Sequence, residues 1–273
     1  MILTETQDAI NRRVYHARGV HRKYMDVTLD PAEVTAIIAR RPSFHCGEVL
    51  EMGVGTGRAT RHLARFARRY VGIDYSPTMV AHARRALPDA DVRLIDMRDL
   101  GAFGDESFDC VFALCNLLDA VSHADRQTVL RETHRVLRGG GTFIFSSHNR
   151  RYHRAGEQPK LELARDPLTQ VRKLAKYALR VLNHRKVRGH RRWEDDYAVL
   201  NDPGHHYALL HYYVSRPVQE RQLEEWGFTL LEAFARDGRR LRADDDDSDT
   251  SDILYVARRD GPPGFAGPGR AGP

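Results

Sequence analysis

Short apolar runs of strand length alternate along this chain with stretches in which apolar residues recur every three or four positions. Glu48-Val49-Leu50-Glu51-Met52, Tyr70–Asp74, Val92–Asp96, Phe108–Leu114 and Thr142–Ser146 are the runs. Between them the spacing is helical. Val34, Ile37 and Ile38 share a face after Asp30-Pro31, where an acidic cap precedes proline at the first helical position. Ala59, Leu63 and Phe66 mark the next helix, Ser76-Pro77 opens one to about Ala86, and another runs from Ala124 to Leu137, where Gly139-Gly140-Gly141 ends it. A further helix is expected from Glu5 to Arg18. Phe108–Leu114 is almost wholly apolar, as a parallel strand covered on both faces must be. Five strands alternating with helices predict an α/β, doubly wound parallel sheet, with right-handed crossovers placing helices on both faces.

The alternation breaks after Ser147. It resumes with a helix at Pro217–Trp226 and strands at Phe228–Phe234 and Ile253–Ala257. Residues 150–213 are therefore read as an insertion into a sheet domain formed by 1–149 and 214–260. Inside the insertion, Leu161–Asn183 reads as a basic amphipathic helix with Val171, Leu174, Ala178 and Val181 on one stripe. Asp196–Leu200 and Tyr207–Val214 read as strands joined by Asn201-Asp202-Pro203-Gly204, strong turn chemistry. The expectation is a hairpin across the mouth of the sheet.

The formal charge of +6 in 273 residues is unevenly spread: Arg150–Arg192 is strongly basic and Asp244–Asp252 acidic. The excess favours an anionic partner. No apolar run approaches the roughly 20 residues of a membrane helix, and the N-terminus has no apolar leader segment, so no membrane partner is expected. Cys46, Cys110 and Cys115 form no metal-like pair, and a reducing cytoplasm is the simplest location. No metal is predicted. Residues 261–273, rich in Gly and Pro, have almost nothing to bury and read as a disordered tail.

Three strand ends carry the chemistry. After Glu51-Met52 comes Gly53-Val54-Gly55-Thr56-Gly57-Arg58, a turn bare enough for a ligand to approach the backbone, followed by a helix N-terminus. Arg58 stands where the dinucleotide fingerprint needs its third glycine, which argues against a nicotinamide dinucleotide. Asp74 ends the second strand, where a carboxylate can accept hydrogen bonds from ribose hydroxyls. Asp96-Met97 ends the third, offering an acceptor for an adenine amino group and a polarizable surface for the ring.

The order of ExGxGxG, VGIDYSPTMVAHA, LIDMRDL, FDCVFALCNLLDAV and RVLRGGGTFIFS resembles the successive motifs of class I S-adenosylmethionine-dependent methyltransferases over Val49–Ser147. The resemblance implies a seven-stranded Rossmann-like sheet whose last strand is antiparallel, here with an inserted α+β lid between strands 5 and 6. It implies S-adenosyl-L-methionine as cofactor: Glu51 with Gly53, Gly55 and Gly57 at the methionine moiety, Asp74 at the ribose, and Tyr75 and Met79 beside ribose and adenine. Asp96 and Met97 would meet the adenine, and Cys115 and Asn116 would floor the pocket near the reactive methyl. Tyr15 and Tyr24 would close over it.

For an oxygen or protonated-amine acceptor a base is needed. Candidates are His148, at the end of the fifth strand, and Tyr207, His211 and Tyr213, which share one strand face with Leu209 if 207–214 is extended. These residues equally suit a half-buried structural strand. A zinc site from His205, His206 and His211 lacks supporting spacing. The implied function is N- or O-methylation of a small polar metabolite or natural-product intermediate. RNA or ribosome methylation through the basic insert, and cofactor binding without turnover, stand as alternatives. Against DNA, the fourth strand ends in Leu-Cys-Asn-Leu and not in an Asn/Asp-Pro-Pro-aromatic motif.

Overall fold

In the computed structural model, which describes residues 6–17, 19–20 and 27–260, the alternation becomes α1 (Gln7–Tyr15), α2 (Pro31–Phe44), β1 (Glu48–Met52), α3 (Thr60–Phe66), β2 (Arg69–Asp74), α4 (Pro77–Ala86), β3 (Val92–Leu94), β4 (Phe108–Ala113), α5 (His123–Val136) and β5 (Leu137–Asn149). The insertion contributes α6 (Pro167–Val187), β6 (Arg192–Trp193), β7 (Tyr197–Leu200) and β8 (His211–Val214); then come α7 (Arg216–Glu225), β9 (Phe228–Ala235) and β10 (Asp252–Arg259). Tyr24 and residues 261–273 lie outside the described residues.

The strands β3-β2-β1-β4-β5 are parallel neighbours, β10 runs antiparallel on β5, and β9 pairs with β10. Among the described residues the sheet has ten strands, not seven, because the insertion does not lie across it as a separate layer. β8 pairs in parallel with the end of β5 through His148↔Tyr213 and Asn149↔Val214, and β7 and β6 follow antiparallel. β10 takes the other edge of β5 there, through Asp252↔His148. The hairpin thus extends the sheet beyond the end of β4.

Strand alternation sorts the core onto two faces. Leu50, Met52, Val71, Ile73, Val111, Ala113, Phe143 and Phe145 pack on one side. Val49, Tyr70, Cys110, Phe112 and Ile144 pack on the other, against α2 and α3 residues such as Ala36, Phe44 and Leu63. Ligands bind such sheets beyond the C-terminal strand ends. Here those ends carry Met52, Asp74 and Ala113, and α1 lies near them.

Candidate active site

One pocket opens where β1, β2, β3 and β4 end. Glu51, Gly53, Gly55, Asp74, Tyr75, Met79, Asp96, Met97 and Cys115 line it, and Tyr15, Asn11 and Arg12 of α1 form its cover. Asp74 is buried, and its two oxygens are held differently: Gly55 N–H donates to Oδ2 at 2.9 Å and Ser76 N–H to Oδ1 at 2.8 Å. A carboxylate offers about four lone-pair sites. Each oxygen of Asp74 therefore keeps one open, a match to two vicinal hydroxyls. Burial raises its pKa, against the two backbone donors and the charge of His16.

Glu51 is buried further back. Tyr70 Oη donates to its Oε2 at 2.5 Å and Thr60 Oγ1 to the same oxygen at 2.9 Å. Burial pushes its pKa up to about 7, although Tyr70, Thr60 and the Arg58 charge oppose the rise. Its other oxygen is free to receive a proton or a donor. Arg58 reaches the pocket wall while both of its terminal nitrogens bond Glu33, whose side chain also closes the capping box of α2 with Asp30.

The glycine turn leaves the room a ligand needs. Gly53 has φ +71°, and a Cβ there would lie 2.5 Å from Leu117. Gly55, at φ +55°, has nothing within 4 Å of its Cβ position, so the bend is bare toward the pocket. Gly57 also has positive φ but faces Leu87 and does not line the pocket, so its freedom serves the turn itself. At the end of β4, Cys115 (φ 59°) and Asn116 (φ 56°) are consecutive left-handed non-glycine residues, a strained pair of the kind that clusters at functional sites.

Asp96 is already saturated. Arg12 Nη2 (2.7 Å) and Arg98 Nη2 (2.6 Å) donate to Oδ2, while the Arg98 backbone N–H (3.1 Å) and Nε (3.0 Å) donate to Oδ1. An adenine amino group could bond this carboxylate only by displacing one of them. Arg12 is the donor that comes from a separate element, α1, and its guanidinium lies over the Tyr75 ring at 4.8 Å. The anchor of α1 is Asn11, which is buried. Its Nδ2 donates to Ala120 O and Leu210 O, both at 2.7 Å, and its Oδ1 accepts from Leu210 N at 2.9 Å. The cover is thereby fastened to the insertion.

Beside the pocket lies a buried cluster of two Asp–His pairs. Asp119 is wholly buried in the short turn Leu117–Ala120 after β4. Its Oδ1 accepts from Arg126 Nη1 and Ser147 Oγ, each at 2.7 Å. Its Oδ2 accepts the His148 backbone N–H at 2.6 Å and lies 2.7 Å from His148 Nδ1. That bond places a hydrogen on Nδ1 and leaves Nε2 facing Asn116 Nδ2 at 3.4 Å and Asp202 Oδ2 at 3.8 Å. Asp202 Oδ2 pairs with His211 Nδ1 at 2.6 Å and accepts from Tyr213 Oη at 2.9 Å. The His148 and His211 rings stack at 4.8 Å. Burial alone would lower the His148 pKa, but the Asp119 bond and charge and the Asp202 charge raise it overall. Asp202 is held well below the usual carboxylate range, burial being outweighed by His211, His148 and Tyr213.

His148, His211 and Tyr213 are thus brought together, although none of them forms the pocket wall; Asn116, next to Cys115, connects them to it. Tyr207 does not join them. Residues 207–214 are not one strand: His205, His206 and Tyr207 all have positive φ in a turn at Gly204–Tyr207, and β8 begins only at His211. The alternation that placed Tyr207 and Leu209 with His211 is therefore broken, and the Tyr207 ring packs edge-on against His184 of α6. Tyr15 lines the pocket and meets His205 edge-on at 5.6 Å. Sequence reasoning missed Asp119, Arg12 and Asn11. For Asp119 a signal existed: a lone carboxylate within the apolar run Leu117-Leu118-Asp119-Ala120-Val121 must find partners when buried.

Comparison with known proteins agrees with this geometry. The methyltransferase-domain family matches residues 50–145. A probable S-adenosylmethionine-dependent methyltransferase of Mycolicibacterium smegmatis is 34% identical over 117 residues, 42% of this chain and 44% of that protein. The chain therefore spans less than half the length of that curated relative. An S-adenosylmethionine-dependent methyltransferase from Clostridium acetobutylicum superposes with a TM-score of 0.59 at 14% identity, over 88% of this chain and 95% of that one. The 1,6-didemethyltoxoflavin-N1-methyltransferase of Burkholderia thailandensis, solved with bound 1,6-didemethyltoxoflavin and S-adenosylhomocysteine, gives a TM-score of 0.57 at 14% identity, over 93% of this chain and 88% of that one. At such identities the structural likeness concerns the fold.

Proposed function

Residues 50–145 are a class I S-adenosylmethionine-dependent methyltransferase domain, and from that premise we propose that the chain methylates a nitrogen or oxygen of a small polar metabolite, with His148 as general base. The observation that carries the cofactor assignment is Asp74, a buried carboxylate at a strand end with one open lone pair on each oxygen, beside a bare glycine bend. Asp74 would hold the ribose, Glu51 and the Gly53–Gly55 backbone the methionine part, and Tyr75, Met79 and Met97 the adenine side, with Asp96 joining once Arg12 yields. When bound, the cofactor supplies an electrophilic methyl on a sulfonium.

The chain's own residues supply alignment and a proton acceptor. An acceptor N–H or O–H gives its proton to His148 Nε2, replacing the long Asn116 contact. Asp119 fixes the tautomer through Nδ1 and, with Asp202, stabilises the imidazolium that forms. Arg126, itself wholly buried, pairs with Asp119 Oδ1 at 2.7 Å and so gives this buried carboxylate an ionic partner. His211 and Tyr213 are positioning residues, because they hold Asp202 against His148.

The test is incubation with cofactor carrying a labelled methyl group and, separately, the small-molecule, RNA and protein fractions of a cell extract. Label in the small-molecule fraction supports the proposal. Label confined to RNA overturns the acceptor class, and cofactor binding with no transfer to any fraction overturns catalysis.

A further inference from the structure

The basic helix α6 is packed the wrong way round for a solvated surface helix. Its inward stripe is mostly polar: Lys173 Nζ donates to Leu163 O, Arg180 pairs with Glu162, Asn183 Nδ2 donates to His206 O, and His184 is buried against Asn201. Val187 alone on that stripe enters an apolar cluster, with Ile10, Val199 and Leu210. Tyr177 and Val181 are half-buried, but, Val187 aside, the other large apolar residues of α6 point outward. Leu168 is 74% exposed, Val171 64%, Leu182 55%, Leu174 45% and Leu179 44%. At 100° per residue these five fall within an arc of about 140°. A contiguous exposed apolar stripe of this kind marks an interaction surface.

Charge decides what covers it. Residues 167–192 contain nine Lys and Arg and no Asp or Glu. Arg172 and Lys176 are exposed along one border of the stripe, and Arg185, Lys186 and Arg188 are exposed at its end. A second copy of the chain docked through α6 would bring the same excess of positive charge onto itself. A nucleic acid would engage the basic residues but leave the leucines in water. An anionic lipid surface satisfies both: leucines enter the headgroup–acyl boundary while the flanking cations meet lipid phosphates. We infer that α6 is a peripheral membrane-docking helix that lies in the plane of an anionic bilayer surface. This revises the expectation of no membrane partner. It agrees with the finding that, among the described residues, no helix is long and apolar enough to cross a membrane. The inference is independent of the acceptor and of the role of His148.

The test is flotation of the full chain with vesicles of phosphatidylcholine alone and of phosphatidylcholine containing about one-third phosphatidylglycerol. The chain is expected to float with the anionic vesicles at least about tenfold more than with the neutral ones, and added salt should release it. Leu168→Gln/Val171→Gln/Leu182→Gln should reduce flotation by about tenfold or more, with melting temperature and cofactor affinity unchanged because none of the three is buried. Arg172→Gln/Lys176→Gln should lower it by about fivefold per residue. No flotation at low salt overturns the inference, as does flotation undiminished in the leucine–valine triple variant. Preference for a homopolymeric RNA over anionic vesicles would overturn it in favour of nucleic acid. A dimer abolished by the triple variant, without flotation, would overturn it in favour of self-association.

Discussion

Replacing His148 with alanine separates catalysis from cofactor binding. The ring removed is held by Asp119 Oδ2 at 2.7 Å, stacks on His211 and lies tilted against Tyr213. Asp119 keeps Arg126 and Ser147 on Oδ1 and the backbone N–H of residue 148 on Oδ2, so no buried carboxylate is left bare. The loss is one charge-assisted hydrogen bond, about 1.5–3 kcal/mol, and two ring contacts of roughly 0.5–1.5 kcal/mol each, against the roughly 5–15 kcal/mol stability of a folded domain. The fold should survive. A positioned base contributes about 10²–10⁴ in rate, so kcat on the labelled acceptor should fall by that factor. The cofactor Kd should stay within about threefold, because His148 does not line the cofactor pocket. In the wild type the base works only when neutral. Its pKa is raised, so the acid limb of the kcat profile should lie above the ordinary histidine value of about 6.5. The assay is methyl transfer from labelled cofactor across pH, with calorimetric Kd and a thermal melt on the same variant. A kcat within twofold of wild type, or a Kd that weakens as much as kcat, would refute the assignment.

Asp74→Ala removes both open acceptors for the ribose; at about 1.5–3 kcal/mol for each charged hydrogen bond, cofactor Kd measured by calorimetry should rise at least about 100-fold while far-UV circular dichroism is unchanged. Asn11→Ala strips three hydrogen bonds, two of them buried, from the anchor of α1; hydrogen exchange in 7–15 should accelerate and cofactor dissociation quicken in stopped flow, with the core strands still protected. The pH dependence of stability has two signs here. His148, raised in the folded state, adds stability that is full below its unfolded pKa of about 6.5 and is lost as pH rises through the folded value. Asp202, depressed in the folded state, adds stability present above about 3.8 and lost as pH falls through its folded value. Denaturant midpoints should therefore show the His148→Ala penalty shrinking toward alkaline pH and the Asp202→Asn penalty shrinking toward acid.

Local patterning made the sheet legible because each strand from β1 to β5 is bounded by its own turn or cap. Asp30-Pro31 caps and starts α2 as its chemistry requires, and Pro77 starts α4, but the Ser76 side chain, expected to cap α4, makes no cap hydrogen bond. The differences lie where local preference yields to tertiary structure. β3 stops at Leu94, short of Asp96, because Asp96 bonds Arg12 and Arg98 and its carbonyl receives the Asp99 N–H in a turn. Gly139–Gly141 ends no helix; it lies in β5, whose pairing with β4 is irregular between Phe108 and Cys110, and Gly140 has φ +79°. The 207–214 alternation was false because three positive-φ residues precede β8. The strand-end carboxylates could be read from their order. The Asp119–His148 pair could not, since its members are 29 residues apart and meet only through the turn after β4. The direction of the α6 stripe was equally hidden: periodicity shows that a helix has two faces, not which one is buried.

The central claim is that the strand ends of β1 to β3 and the glycine bend form one adenosyl-sulfonium pocket. Titrating the purified full chain with S-adenosyl-L-methionine and, in parallel, with a nicotinamide dinucleotide tests it in one calorimetric experiment. Saturable one-to-one binding of the first and none of the second is the predicted result. Binding of the dinucleotide instead, or of neither, would contradict it.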